Sequence, residues 1–157
     1  MAEEINIDNT AGKEEIYQSL IPQIEALLSG EVNLVANMAN VAAALKQAFD
    51  FFWVGFYVVD GENMVLGPFQ GPIACTRIAR DQGVCGKVWA DKKLAIVPNV
   101  DEFPGHIACN SAAKSEVVVP GFDADGQVLF VLDIDSDQLN DFDEADAQYL
   151  SQIANLL

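Results

Sequence analysis

Three cysteines, Cys75, Cys85 and Cys109, have the most varied chemistry available to any residues of this chain. A cysteine can serve as a buried apolar side chain, a metal ligand or a redox-active thiol. All three lie in segments punctuated by glycine or proline, or near a predicted helix start, rather than in apolar strands. Cys85 follows Gly83 near a predicted helix N-terminus, where the helix dipole favours a thiolate. The pattern favours reactive thiols but leaves the three roles open.

Metal coordination is the least favoured of these roles. A zinc site would have to combine the three cysteines with His106, the single histidine of the chain. Closely paired ligands such as C-x-x-C, which are typical of structural zinc sites, are missing. We expect no metal site. His106, three residues before Cys109, is expected to serve the loop and could influence the thiol.

Glu116, Asp133 and Asp135 form a second group of candidate residues. They lie in two β-branched runs joined by Asp-Ala-Asp-Gly at 123–126, which predicts a hairpin. Two registers fit this turn, and in both of them Glu116 lies opposite one aspartate with the other as a diagonal neighbour. The acids then share one sheet face, either as a solvated acidic surface or as a cation site. An ammonium group, with three donors, suits three carboxylates better than calcium, whose loop spacing is incomplete here.

Trp53 and Tyr57 are the candidate aromatic residues of a site. They lie four residues apart in a predicted strand, so their side chains share one face. Packing in the core is the default interpretation of such a pair. The functional interpretation is the wall of a pocket for an apolar ligand with a polar rim.

The charge of the chain limits its partners. Eight lysines and arginines stand against 24 aspartates and glutamates, a net charge of −16. Such a surface repels phosphate, so we expect no binding to nucleic acid or to anionic membranes. The sequence has no signal-peptide pattern, no apolar run long enough to span a bilayer and no glycine-rich nucleotide motif. We expect a cytoplasmic protein, in which cysteines stay reduced.

The elements that must position these residues follow from hydrophobic periodicity. Helices are predicted at 12–29, 31–49 and 83–92, and a C-terminal helix is predicted to begin at a cap formed by Asp141 and Glu144. Strands are predicted at 52–59, 64–69, 94–97, 115–119 and 128–134, and loops at 70–80 and 98–113. This order indicates one α+β domain over residues 1–157.

Seven short motifs, taken together and in this order, resemble the free methionine-(R)-sulfoxide reductase family of GAF-domain enzymes. They are WVGFY at 53–57, LGPFQG at 66–71, AC at 74–75, GVCG at 83–86, HIAC at 106–109, SEVVVP at 115–120 and LDIDS at 132–136. The resemblance covers essentially the whole chain. It implies a GAF-like fold, with a central antiparallel β-sheet of about six strands and helices on both faces.

The resemblance also implies a role for each cysteine. Cys109 matches the catalytic cysteine, Cys75 the usual resolving cysteine, and Cys85 a third cysteine that can join disulfide exchange. Whether Cys75 or Cys85 is the main resolving thiol stays open. Asn110 departs from the family, which often has aspartate at this position, and we expect it to affect the loop that holds Cys109.

The remaining candidates match the family's substrate site. Glu116, Asp133 and Asp135 match its carboxylates, and Trp53 and Tyr57 match its pocket aromatics. Clustered carboxyl groups raise one another's pKa, so one of them can be protonated and hold the sulfoxide oxygen. Another can bind the α-ammonium group, which a methionine inside a polypeptide lacks.

The implied chemistry needs no cofactor. A thiolate attacks the sulfoxide sulfur, a carboxylic acid supplies a proton, and Cys109 is left as a sulfenic acid. A second thiol condenses this acid to a disulfide, which thioredoxin or a similar dithiol reductant reopens.

Two other classes of protein stay open from the sequence. A regulatory GAF module could bind a small molecule without catalysis, although it would need none of the three cysteines. An inert acidic domain with structural thiols would require the ordered motifs to be a coincidence. The oligomeric state is also open, with a homodimer as one expectation.

Overall fold

The computed structural model describes residues 4–157. This part of the chain contains four α-helices and six strands, joined by turns and loops. The helices are α1 (Lys13–Leu28), α2 (Leu34–Phe49), α3 (Gly83–Asp91) and α4 (Glu144–Ala154). The strands are β1 (Trp53–Asp60), β2 (Asn63–Gln70), β3 (Arg77–Ala79), β4 (Ala95–Val97), β5 (Ser115–Phe122) and β6 (Val128–Ser136). No described helix is both long and apolar enough to cross a membrane.

The six strands form one sheet in the order β3-β2-β1-β6-β5-β4, and each neighbouring pair is antiparallel. Helices cover both faces. The first face packs against α1, α2 and α4 through the apolar side chains that alternate along the central hairpin, Val117, Val119, Phe130, Leu132 and Ile134. The second face packs against α3. The expected α+β fold with helices on both faces of a six-stranded antiparallel sheet is confirmed.

The β5–β6 hairpin adopts one of the two registers expected from its turn. Glu116 lies opposite Asp135, and Val118 lies opposite Asp133. The turn is longer than two residues, because the Asp123 N–H donates to the Gln127 carbonyl oxygen. A bulge at the end of β5 accommodates the extra residue. Since side chains alternate across a strand, the acids fall on the face opposite the apolar set, towards α3.

Two predictions of local structure were wrong. The segment 70–80, predicted as a loop, contains β3, in which only Ile78 is buried. This three-residue strand is too short to show a periodicity, and it forms because it pairs with the edge of β2. The cap of α4 is Asp143, which accepts hydrogen bonds from the N–H groups of Ala145 and Asp146. Asp141 instead accepts a hydrogen bond from the Ser136 hydroxyl (2.6 Å).

Candidate active site

A cleft on the α3 face of the sheet contains seven of the eight predicted site residues. Its walls include Trp53, Tyr57, Cys85, Cys109, Glu116, Asp133 and Asp135. Strands β1, β5 and β6 supply the floor, the first turn of α3 supplies one side, and the loop between β4 and β5 closes the other. The eighth residue, Cys75, lies outside the lining and is bonded to Cys109.

Cys75 and Cys109 are joined in a disulfide, although 34 residues separate them in the sequence. Their Cα atoms are 5.3 Å apart, within the range that a disulfide requires. Both residues are half-buried. The Tyr57 hydroxyl donates a hydrogen bond to the carbonyl oxygen of Cys75 (2.9 Å), which ties the Cys75 loop to β1. The disulfide is therefore held at the edge of the cleft, beside one of its aromatic walls.

Cys85 is a free, buried thiol in the first turn of α3. Its Sγ atom lies 4.0 Å from Oε1 of Glu116. Burial raises the pKa of this thiol well above its usual value, and the nearby carboxylates raise it further. The expectation that the helix start favours a thiolate at Cys85 was therefore wrong. A helix N-terminus contributes about 0.3–1 kcal/mol to an anion, whereas burying a charge costs several kcal/mol.

The three acids are not a solvated surface. Glu116 is 5% exposed and Asp133 is 6% exposed, while Asp135 is partly buried at the mouth of the cleft. Burial raises the pKa of all three carboxyl groups above their usual values, that of Asp133 to about 6, and the charge of Asp133 further raises the pKa values of the other two. The interpretation of these residues as a solvated face was wrong.

Asp133 has a buried oxygen to which none of the described residues donates a hydrogen bond. Among the described residues, Oδ1 of Asp133 is the buried side-chain oxygen without a hydrogen-bond partner. No lysine or arginine among the described residues lines the cleft. A buried carboxylate without a donor is costly, because it has lost its water and gained no partner. This arrangement suits a ligand that brings a positive charge and hydrogen-bond donors.

Trp53 and Tyr57 are both core residues and walls of the cleft. Their rings stack with centroids 6.0 Å apart, and Trp53 also stacks on Phe69 at 5.3 Å. Gly55, which lies between them in β1, makes this possible. A Cβ atom at Gly55 would lie 2.6 Å from the Trp53 ring and 2.4 Å from Cβ of Phe69, closer than real contacts allow. The Trp53 indole N–H donates to the Pro72 carbonyl oxygen (3.1 Å), which fixes the ring plane.

The loop that carries Cys109 also brings His106 and Asn110 to the cleft. His106 Nε2 lies 3.9 Å from Oε2 of Glu116. Burial lowers the pKa of His106, which favours the neutral imidazole near pH 7, while the charge of Asp101 opposes this effect. The Asn110 side chain accepts a hydrogen bond from the Ala112 N–H (2.8 Å). An aspartate could accept the same bond, so the departure at Asn110 leaves this loop contact intact.

Several residues of the cleft were missed from the sequence. They are the side chains that complete its rim and walls, Phe52, Ile73, Gln82, Val84, Ile107 and Ala113. Most of them lie in loops or at element ends, where no hydrophobic periodicity exists to indicate which side chains face inward. The glycine at position 83 is a weak indication that Ile107 lies close to the start of α3. Its φ is +61°, and an added Cβ atom would contact Ile107 at 3.4 Å.

Comparisons with known proteins agree with this fold. A family model described as a GAF domain matches residues 31–157, so the chain is a GAF-domain protein. It is 60% identical to GAF domain-containing protein A of Dictyostelium discoideum, over 100% of this chain and 99% of that protein. It is 41% identical to free methionine-R-sulfoxide reductase of Saccharomyces cerevisiae, over 99% of this chain and 91% of that protein.

A solved structure gives the same result. The free methionine-R-sulfoxide reductase of Neisseria meningitidis, determined in complex with its substrate, superposes with a TM-score of 0.95 at 48% identity. The match covers 99% of this chain and 93% of that chain. The chain therefore belongs to the free methionine-R-sulfoxide reductase family, a family of oxidoreductases built on a GAF domain.

Proposed function

We propose that the protein reduces free L-methionine-(R)-sulfoxide to methionine in the cleft on the α3 face. The observation that carries the proposal is the position of the Cys75–Cys109 disulfide beside a buried carboxylate cluster in a cleft that no described lysine or arginine lines. One part of the cleft is equipped for thiol redox chemistry and the other for an ammonium group. The relatives that bear the reductase name support the choice of substrate.

The charged end of the substrate is bound by the acids. The α-ammonium group donates to Asp133 and Asp135, and it satisfies the oxygen of Asp133 to which no described residue donates. A charge-assisted hydrogen bond contributes about 1.5–3 kcal/mol. A methionine sulfoxide inside a peptide has an amide in place of the ammonium, so it would leave these buried oxygens unpaired.

The sulfoxide end is placed by Trp53 and Tyr57. Their stacked rings form an apolar wall for the side chain of the substrate. Cys109 lines the same cleft and is bonded to Cys75, whose carbonyl oxygen accepts a hydrogen bond from the Tyr57 hydroxyl, so the sulfoxide sulfur can contact both the aromatic wall and the thiol. Holding both reactants in one cleft replaces a bimolecular encounter by a positioned attack.

The reaction begins from the form in which Cys75 and Cys109 are both thiols. The Cys109 thiolate attacks the sulfoxide sulfur while a carboxyl group of the cluster gives a proton to the sulfoxide oxygen. The S–O bond of the substrate breaks, methionine leaves, and the oxygen remains on Cys109 as a sulfenic acid. Burial and the charges of Asp133 and Asp135 raise the pKa of Glu116 well above its usual value, so the cluster can hold a carboxyl proton close to neutral pH while the two aspartates bind the ammonium group.

Regeneration uses Cys75 first and an external dithiol second. The Cys75 thiol attacks the Cys109 sulfenic sulfur, water leaves, and the disulfide forms. Thioredoxin or a similar dithiol protein then reduces this disulfide by thiol exchange and is itself oxidised. The exposed Ile73 and Ile107, 88% and 39% accessible, lie at the mouth of the cleft beside the two cysteines and suit such an encounter. A reducing compartment such as the cytoplasm would supply this partner.

Incubation with the separate epimers of free methionine sulfoxide tests the proposal. With dithiothreitol as reductant, the R epimer should be consumed and an equal amount of methionine should appear, while the S epimer remains. Amino-acid analysis measures both. Binding of the R epimer without turnover would instead leave the protein as a ligand-binding GAF module, and the proposed reaction would be wrong.

A further inference from the structure

We propose that Cys85, Glu116 and Asp133 form a binding site for a thiophilic divalent cation such as Zn²⁺ on the floor of the cleft, and that the metal excludes the substrate. Metal binding is independent of the proposed reaction. The exclusion of the substrate rests on the proposed function, because it assumes that the ammonium group uses Asp133.

Three elements bring the ligand atoms together. Cys85 comes from α3, Glu116 from β5 and Asp133 from β6, and one sulfur and two carboxylate oxygens lie within 4.8 Å of one another. Zinc bonds of about 2.0–2.3 Å place tetrahedral ligand atoms roughly 3.3–3.8 Å apart. The side chains therefore have to close by about 1 Å, which small rotations about their terminal bonds provide.

A second observation points to a ligand at the same place. Oδ1 of Asp133 is buried and accepts no hydrogen bond from the described residues, while Asp133 as a whole is only 6% exposed. A cation coordinated between Cys85 and Glu116 would satisfy this oxygen. The unpartnered oxygen is thus a second indication of a cation site, in addition to the short distances between the ligand atoms.

The donor set favours zinc-like metals over calcium and magnesium. The hard cations take six or more oxygen ligands and avoid sulfur, whereas a thiolate with imidazole or carboxylate is a common zinc set. His106 Nε2, 3.9 Å from Oε2 of Glu116, is within reach as a fourth ligand. A zinc site made of all three cysteines and His106 is excluded in the disulfide form of the protein. The sulfur atoms of Cys75 and Cys109 are bonded to each other there and cannot bind a metal as thiolates.

The oxidised protein provides a direct test. With the Cys75–Cys109 disulfide intact and no reductant present, Cys85 is the sole free thiol. Cobalt(II) is the probe, because a cobalt–thiolate bond gives a charge-transfer absorption that cobalt on oxygen ligands lacks. The wild type should show this absorption, and Zn²⁺ should remove it by displacing cobalt.

Variants assign the ligands. Cys85→Ser should abolish the charge-transfer absorption, and Asp133→Asn should weaken cobalt binding at least tenfold. The matched control is Asp137→Asn, an exposed aspartate just beyond β6, which should bind cobalt like the wild type. Circular dichroism checks that each variant is folded. No absorption in the wild type, or an absorption that survives Cys85→Ser, would overturn the site.

Displacement tests the exclusion. Free L-methionine sulfoxide should remove the cobalt signal. L-alanine at the same concentration should not, although both amino acids can chelate cobalt in solution through the α-amino and α-carboxylate groups. If both amino acids act equally, or neither acts, the exclusion is wrong while the metal site stands. The assay with separate epimers decides the proposed reaction independently, since it contains no added metal.

Discussion

Glu116 on β5 lies directly opposite Asp135 on β6, and both carboxyl groups face the cleft with no lysine or arginine lining it in the described part of the chain. Like charges facing each other across two strands destabilise a sheet. Most apolar side chains of the hairpin pack on the opposite face, against α1, α2 and α4, and Val118, Val128 and Val131 belong to the apolar cluster on the α3 side. The pair therefore lowers the stability of the sheet at a place where a cationic ligand would restore it.

The two cysteines of the disulfide should respond differently to the reductant. We expect Cys109→Ser to lose activity with both thioredoxin and dithiothreitol, because nothing replaces the nucleophile. Cys75→Ser should lose most thioredoxin-supported turnover but keep part of the dithiothreitol-supported turnover, because a small thiol can reduce the sulfenic acid directly. Initial rates with the two reductants measure this. Full activity of Cys109→Ser would remove this residue from the mechanism, and equal loss of Cys75→Ser with both reductants would contradict its resolving role.

The choice of free amino acid over peptide should depend on Asp133 and Asp135. We expect either substitution to asparagine to lower kcat/KM for the free R epimer tenfold to a hundredfold, since about 1.5–3 kcal/mol of charge-assisted binding is lost. N-acetyl-methionine sulfoxide has no ammonium group, so the wild type should use it poorly. The asparagine variants should show little additional preference for the free amino acid over the N-acetylated one. The measurement is the ratio of kcat/KM for the two substrates. A ratio near one in the wild type would rule out the ammonium contact.

The stability of the protein without ligand should fall as the pH rises through the range in which Asp133 ionises. Its pKa is raised from 3.8 to about 6 by burial, so the fold favours the protonated carboxyl group. The favourable contribution is complete below pH 4 and is lost as the pH rises to about 6 and above. Asp133→Asn, which stays neutral, should therefore be increasingly more stable than the wild type over this window.

A pKa difference of this size corresponds to on the order of 3 kcal/mol, or roughly 6–12 °C in Tm for a chain of this length. Thermal unfolding at pH 4, 6 and 8 would measure the difference between Asp133→Asn and the wild type. Asp137→Asn is the control, because Asp137 is exposed, and its Tm should follow that of the wild type. A Tm difference for Asp133→Asn that does not change with pH would contradict the burial of a charge at this position.

Gly55 should be required for the aromatic wall. Gly55→Ala adds a Cβ atom that would meet the Trp53 ring and Phe69 at distances below 3 Å. Overpacking of this kind costs about 1–3 kcal/mol, and because Trp53 must move, KM for the substrate should rise as well. Gly12→Ala is a suitable control, since nothing lies within 4 Å of a Cβ atom at Gly12. Unchanged Tm and KM in Gly55→Ala would show that the wall does not depend on this glycine.

The sequence by itself determined the elements whose pattern is local. Alternation along 115–119 and 128–134, continued by one residue to Asp135, placed Glu116, Asp133 and Asp135 on one face and five apolar side chains on the other, and the structure has this arrangement. The helices also lie where the periodicity predicted them, with ends that differ by at most three residues. These predictions succeed because the periods of strands and helices are written in neighbouring residues.

Only the tertiary structure decided the environment of those side chains. The acids are buried because α3 and the loop between β4 and β5 cover their face, and no local pattern distinguishes a covered face from a solvated one. The same cover turned Cys85 from an expected thiolate into a buried neutral thiol. The contact between Cys75 and Cys109 spans 34 residues, and the sequence indicated this pair only through a family resemblance. Loop paths and burial arise from contacts between distant segments, so they become defined only when the whole chain folds.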